Sequence, residues 1–203
     1  MKTKILLTFI FAGMIFLTSC YKYPPDVTRT QEDLAVLTKY DVKKNFSSYS
    51  TFYIDPQVYY KDGNDSGYIS DAKAGWIINR IVLNMTNRGY TQVQKPTKPD
   101  LGIGVTLIKN VNVDVYYPYY PYWGYWGGGY YYPYYPYYPY VTTYSTGTII
   151  IDMVDVKYEV NNQLADVWTG IIRGLYTGNH TQSEIESTID LAFNQSLCFT
   201  TLN

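Results

Sequence analysis

The chain has 203 residues, with 16 basic and 17 acidic side chains, so its formal net charge is -1. Nucleic-acid binding needs clustered lysine and arginine, and this nearly balanced composition argues against that class of partner. The length suits one domain with a hydrophobic core.

The N-terminus has the pattern of a lipoprotein signal peptide. Lys2 and Lys4 precede thirteen largely apolar residues, 5–17, a run too short to cross a bilayer. Residues 17–20, Leu-Thr-Ser-Cys, form a lipobox, in which small residues before a cysteine direct cleavage. We expect residues 1–19 to be removed and Cys20 to become the lipidated first residue. The alternative is an ordinary signal peptide or short anchor in which Cys20 has no role.

Lipidation of Cys20 also bears on location. Two or more acyl chains anchor a protein stably, whereas one gives only marginal binding. No aspartate directly follows Cys20, which by resemblance to known sorting signals favours the outer membrane, and no acidic cluster of the kind that directs surface display is present. We therefore predict a lipid anchor in the outer membrane, with the domain facing the periplasm. Surface exposure stays open.

The first half of the mature chain predicts a tether, two strands and a helix. Residues 20–33 are polar and contain proline, as is typical of a tether, and a single domain is expected over 34–203. Strands are predicted at 34–40 and 50–54, and a polar loop at 61–67. Ser70 is the predicted cap of a helix that ends at Gly89, with an apolar stripe at helical spacing: Ala74, Ile77, Ile78, Ile81 and Met85.

The second half predicts a sheet followed by a second helix. A short strand is expected at 91–94, and odd-numbered apolar residues from Leu101 to Val115 have the period of two of a long strand. Residues 148–158 and 164–176 are expected to pair through a hairpin turn at 161–163, the former strand being central. Thr181 and Glu184 form a capping box for a helix with an inward stripe: Ile185, Ile189, Ala192, Phe193 and Leu197. The predicted fold is α+β, a mostly antiparallel twisted sheet with two amphipathic helices packed on one face.

A Tyr/Pro/Gly-rich low-complexity insertion occupies residues 116–140. Proline at every third position argues against a regular strand ladder and fits polyproline II. One interpretation is an aromatic contact surface for peptidoglycan, another glycan or an envelope protein, with these candidate residues: Tyr119, Tyr122, Trp123, Trp126, Tyr134 and Tyr137. The other is a loop without a ligand. We expect residues 118–140 to project from a sheet edge.

The sequence offers no catalytic constellation. His180 is the only histidine, so no histidine pair can hold a metal, and a surface-loop position is expected for it. Asp152 and Asp155 are three apart on a predicted strand and should face opposite sides. Cys198 is expected to be a small apolar side chain near a helix end. We predict no enzyme activity, no metal and no cofactor.

Several short motifs occur in a particular order: Tyr40-Asp41, residues 46–52 (Phe-Ser-Ser-Tyr-Ser-Thr-Phe), Arg88-Gly89-Tyr90, Pro99-Asp100-Leu101 and residues 166–170 (Asp-Val-Trp-Thr-Gly). This order resembles the bacterial lipoproteins that carry domain of unknown function 4136. The resemblance implies an α+β fold and an envelope location, and that family has no assigned activity. The functional hypothesis is a non-enzymatic, lipid-anchored interaction or structural domain. The alternative, by analogy at the level of the fold, is an auxiliary subunit of lipid or polysaccharide transport between the two membranes.

Overall fold

The computed structural model describes residues 34–109, 132–134, 146–160 and 163–199. Within these residues the chain forms nine strands and two α-helices. The strands are β1 (Ala35–Tyr40), β2 (Thr51–Ile54), β3 (Val58–Asp62), β4 (Asp65–Ile69), β5 (Thr91–Gln92), β6 (Leu101–Ile108), β7 (Tyr132–Tyr134), β8 (Thr148–Val160) and β9 (Gln163–Arg173), and the helices are α1 (Ala72–Asn87) and α2 (Gln182–Asn194). Two 3-10 turns, Phe46–Ser48 and Leu197–Phe199, complete the description.

The strands form one mixed sheet in the order β1-β9-β8-β6-β2-β5, with the β3–β4 hairpin attached to β6. The three longest ladders, β8–β9, β6–β8 and β1–β9, are antiparallel, as predicted. Four short ladders are parallel: β2–β5, β2–β6, β3–β6 and β7–β9. Strand β8 lies between β6 and β9, which confirms its predicted central position.

Both helices pack on the sheet through the stripes that their spacing predicts. The five stripe residues of α1 are all buried, and so are Ile185, Ile189, Ala192 and Phe193 of α2. They join one hydrophobic cluster with sheet residues such as Phe52, Ile103 and Trp168. Each such side chain contributes about 1.5–3 kcal/mol when it leaves water. The α+β architecture is therefore confirmed.

The residues predicted as a polar loop at 61–67 belong instead to the β3–β4 hairpin. Asp62 pairs with Asp65, so Gly63 and Asn64 form a two-residue connection, and Gly63 has φ +57°. Such connections favour residues that accept positive φ, because the turn must match the twist of the strands. The hairpin was missed because its tip is polar, while its pairing relies on rings further along, with Tyr59 and Tyr68 centroids 5.5 Å apart.

Several predicted bounds and positions differ from the structure, including the end of β9, which is Arg173 rather than residue 176. Asp71, not Ser70, caps α1, because its Oδ1 accepts the Ala74 N–H at 2.9 Å. Strand β5 ends at Gln92 rather than residue 94. Leu197 is 70% exposed rather than buried, because α2 ends at Asn194 and the helical period stops there. The capping box of Thr181 and Glu184 and the positive φ of Gly89 are confirmed.

Three residues of the Tyr/Pro-rich insertion form a strand. Tyr132–Tyr134 run parallel to the start of β9, with Pro133 opposite Leu164. The prediction that the insertion makes no ladder is wrong for these residues. A proline is tolerated on an edge strand because its missing N–H can face away from the neighbour. The rest of the insertion and residues 1–33 lie outside the described residues.

Candidate functional site

A pocket of about 370 Å³ opens where three separate segments meet. They are the chain after β1, the end of α1 and the 3-10 turn that follows α2. The volume is within the range of small-molecule sites, about 300–1,000 Å³. Its lining consists of Tyr40, Val42, Lys44, Asn45, Phe46, Ser47, Arg88, Tyr90, Leu197, Cys198 and Phe199.

Local capping fixes the shape of two walls. Asn45 begins the first 3-10 turn, since its Oδ1 accepts the Ser47 backbone N–H at 3.1 Å. At the end of α1, Gly89 adopts φ +90°, a conformation that glycine accepts without cost from a Cβ. The chain then turns back, and the Tyr90 hydroxyl donates to the Phe46 carbonyl at 3.3 Å. This bond links the two walls.

The floor is aromatic and continuous with the core. The ring centroids of Phe46 and Phe199 are 5.3 Å apart, and Trp168 lies 5.5 Å from Phe199. The rim is apolar but exposed: Val42 is 75% and Leu197 70% exposed, the two highest values among the large hydrophobic side chains of the described residues. Both line the pocket. Exposed apolar groups around a concavity are typical of binding sites.

Arg88 supplies a cation on the wall formed by α1. Its guanidinium donates to the Asn84 side chain and to the Asn194 side chain, each at 2.7 Å, and lies 5.3 Å above the Phe193 ring. These partners are neutral. Burial lowers the pKa of Arg88, because the low-polarity surroundings disfavour the charged form. Asn84 is held in turn by Asp190, to which it donates at 2.7 Å.

Lys44, the second cation of the lining, is neutralised within the fold. Its ammonium is 2.6 Å from Oδ2 of Asp155, which is fully buried and also accepts the Tyr49 hydroxyl at 2.8 Å. Burial and this hydrogen bond raise the pKa of Tyr49. Asp155 thus joins the segment after β1 to the sheet.

Two further side chains of the lining, Cys198 and Tyr90, have raised pKa values and are therefore neutral at ordinary pH. Burial raises the pKa of the Cys198 thiol to about 12, and burial raises the pKa of Tyr90 to about 12. Cys198 packs against the hydrophobic cluster, as its predicted apolar role implies. Among the residues that the structure describes, no carboxylate is part of the lining.

A second polar cluster lies on β8 and β9. Thr169 donates to Oδ2 of Asp166 at 2.7 Å, while the buried Oδ1 of Asp166 has no hydrogen-bond partner. Burial and the nearby Asp152 carboxylate raise the pKa of Asp166 well above its usual range. The closeness of these two carboxyl groups could not be foreseen from the sequence. Asp166 approaches Asp152 only because β8 pairs with β9 and a bulge lies beside Val154.

Most of the predicted site residues belong to parts of the chain that the structure does not describe. Cys20, Tyr119, Tyr122, Trp123, Trp126 and Tyr137 lie outside the described residues, and of Tyr134 only the backbone, paired with Ala165, is described. His180 lies in the loop before α2, with its Nε2 at 3.2 Å from the Gly174 carbonyl oxygen.

The pocket itself was not predicted. Its residues come from segments far apart in the chain, and the available signal was that several family-like motifs, including Tyr40, Phe46-Ser47 and Arg88-Gly89-Tyr90, contribute to its lining.

The described residues contain neither a candidate metal site nor a helix that could span a membrane. Over 34–109, 146–160 and 163–199, no group of three or more histidine, cysteine, aspartate or glutamate side chains could hold a metal ion. No helix in this part of the chain has the length and apolar character needed to span a membrane.

The fold and the pocket define a class: a mixed α+β domain with a two-helix layer on one face and a cleft at the end of that layer. Residues 36–196 match the family model described as "Domain of unknown function (DUF4136)", and the chain belongs to that family.

A solved structure of a family member agrees with this assignment. The crystal structure of a DUF4136 family protein from Bacteroides thetaiotaomicron is similar at a TM-score of 0.65 with 27% identity, and the match covers 84% of this chain and 99% of that one. A protein from Xanthomonas campestris assigned to DUF330 matches at a TM-score of 0.28 with 7% identity, covering 72% of this chain and 78% of that one. No curated protein matches the chain.

Proposed function

We propose that the protein is a non-enzymatic binding domain of the cell envelope, anchored through acylated Cys20 in the outer membrane and facing the periplasm. The observation that carries this proposal is the lipobox at residues 17–20, which follows two lysines and a short apolar run. It is joined to the first strand, β1, by a short polar segment. Such an arrangement tethers a folded domain close to a membrane surface.

The pocket supports a binding role. It combines an aromatic floor, two exposed apolar side chains at the rim and a half-buried guanidinium in a concavity whose surface is largely polar. The tyrosine-rich insertion is a second proposed contact surface, for peptidoglycan, another glycan or an envelope protein. Binding of the chain to purified sacculi, with and without residues 118–140, tests that surface.

The anchor is tested by metabolic labelling of growing cells with a palmitate analogue. Wild-type protein should take up label and fractionate with membranes, while Cys20→Ala should lose the label. Cys198→Ala is the matched control, because it removes the other cysteine of the chain and should keep the label. An unlabelled wild type, together with membrane-bound Cys20→Ala, would contradict the proposal.

A further inference from the structure

Arg88 differs from Arg80 of α1 and from Lys44, the other cation of the pocket lining. Arg80 is paired with Asp190 and Glu186, and Lys44 is paired with Asp155. The hydrogen bonds of Arg88 go to the Asn84 and Asn194 side chains and to the Asn84 carbonyl, all of them neutral. Among the described residues, therefore, Arg88 is a partly desolvated guanidinium that no carboxylate contacts.

The surroundings of Arg88 favour an anion over any other charged ligand. Within the described part of the chain, the lining contains no aspartate or glutamate, and the Cys198 thiol and the Tyr90 phenol are neutral at ordinary pH. Guanidinium groups bind carboxylate and phosphate with charge-assisted, frequently bidentate hydrogen bonds. The amide partners leave some of the five N–H donors of Arg88 uncommitted.

The rest of the pocket favours an apolar group beside that anion. Phe46 and Phe199 form the floor, and the exposed side chains of Val42 and Leu197 form the rim. Burying these apolar surfaces against a ligand stabilises the complex. A bare inorganic anion would leave Val42 and Leu197 exposed to water, whereas the two floor rings are already almost fully buried.

We infer that this pocket binds an organic anion, in which a carboxylate or phosphate contacts Arg88 and an attached apolar group packs against Val42 and Leu197 at the rim. The inference rests on the proposed function in that it identifies the ligand class of the same binding domain. Small carboxylates and lipid phosphates both carry an anionic group that a guanidinium can bind. Probes of each kind distinguish whether the ligand is a small molecule or a lipid.

Isothermal titration calorimetry on the full chain in detergent tests the inference with four probes. They are 3-phenylpropionate, its neutral amide 3-phenylpropionamide, dihexanoyl phosphatidic acid and inorganic phosphate. The amide should bind at least about tenfold more weakly than the carboxylate, because it cannot form charge-assisted bonds with Arg88. Inorganic phosphate should bind more weakly than either organic anion. Tighter binding of phosphatidic acid would indicate a lipid source, and tighter binding of 3-phenylpropionate a small carboxylate.

Substitutions locate the binding. Arg88→Gln should weaken 3-phenylpropionate by about tenfold, to the level of the amide. Lys43→Gln removes the same charge from an exposed neighbour outside the lining and should leave affinity unchanged. A second measurement uses wild-type protein and so does not depend on whether a variant folds. Cys198 lines the pocket, and a bound ligand should shield its thiol. Bound 3-phenylpropionate should slow maleimide modification of the Cys198 peptide, measured by mass spectrometry.

Three results would overturn the inference: equal binding of acid and amide, no binding of either organic anion, or binding that Arg88→Gln and Lys43→Gln weaken equally. None of these results affects palmitate labelling at Cys20. A labelled protein without anion binding would therefore retain the anchor and reject this ligand class.

Discussion

Two arginines of the same helix have different surroundings. Arg80, in the middle of α1, meets both oxygens of Asp190 through its Nε and Nη2 atoms, and its Nη1 is 3.4 Å from Glu186. Arg88, two turns later at the pocket, has neutral amide partners. The first arginine joins two helices by an ion pair. The second is positioned by hydrogen bonds that leave its charge available.

The electrostatics of the two sites follow from these partners. Hydrogen bonding to Asp190 raises the pKa of Arg80, and the same bond lowers the pKa of Asp190. Burial lowers the pKa of Arg88 instead, with Asp190 acting only at longer range. Identical side chains therefore serve structure in one place and binding in the other. The following predictions test that difference.

The largest loss of stability is expected at Asp155, the buried carboxylate that pairs with Lys44 of the pocket lining. Asp155→Ala leaves Lys44 and the Tyr49 hydroxyl without their shared buried partner, so the free energy of unfolding should fall by about 3 kcal/mol. Urea unfolding measures the loss. Asp65→Ala, at an exposed hairpin position, is the control and should change stability by less than about 0.5 kcal/mol. Equal losses for both variants would show that Asp155 does not neutralise Lys44 in solution.

Asn84 connects the two arginine sites. Its amide donates to Asp190 and to the Arg80 carbonyl and accepts from Arg88, and the residue is 5% exposed. Asn84→Ala should cost about 2 kcal/mol of unfolding free energy, because it leaves buried partners unsatisfied. Asn87→Ala, one turn on and exposed, should cost little. A small effect of Asn84→Ala would mean that water replaces the amide and that Arg88 is not fixed by it.

Asp166 is a half-buried acid whose buried Oδ1 lacks a hydrogen-bond partner. Because its pKa is raised in the folded state, folding favours the protonated acid. This stability is present below the unfolded pKa of about 3.9 and is lost as pH rises through the folded pKa. Asp166→Asn should remove this loss and stabilise the protein by about 1 kcal/mol at pH 7. Unfolding measured from pH 4 to 8 would contradict the assignment if both proteins showed the same slope.

The smallest changes in unfolding free energy are expected when the two arginines themselves are replaced. Arg80→Gln breaks a partly exposed ion pair and should cost about 1 kcal/mol at pH 7, while Arg88→Gln should cost less, since it also removes a desolvated charge. The lowered pKa of Asp190 adds a second signature. Its stabilisation is present above the unfolded pKa and is lost as pH falls through the folded pKa, so Arg80→Gln should flatten the acid limb of the stability profile more than Arg88→Gln does, because Arg80 is the hydrogen-bonded partner. Thermal unfolding between pH 2.5 and 7 checks both.

The helix layer was predictable, because the spacing of residues such as Ile77, Ile81 and Ile189 is set by the helix period. The β8–β9 hairpin was predictable for a similar local reason. The β3–β4 hairpin was not, because a polar tip is typical of loops as well. The pocket was out of reach because Phe46, Arg88 and Phe199 meet only after the helices have packed. Arg88 itself appeared in the sequence only as the residue before a helix-ending glycine and as part of the short motif Arg88-Gly89-Tyr90.

The most direct test of the account is a crystal structure of the chain soaked with 3-(4-bromophenyl)propionate, whose bromine can be located by anomalous scattering. We expect the carboxylate within hydrogen-bonding distance of the Arg88 guanidinium and the bromophenyl ring against Val42 and Leu197 at the rim of the pocket. Arg80 should keep its contacts with Asp190. A bromine bound elsewhere, or a carboxylate that displaces Asp190 from Arg80 while the pocket stays empty, would contradict it.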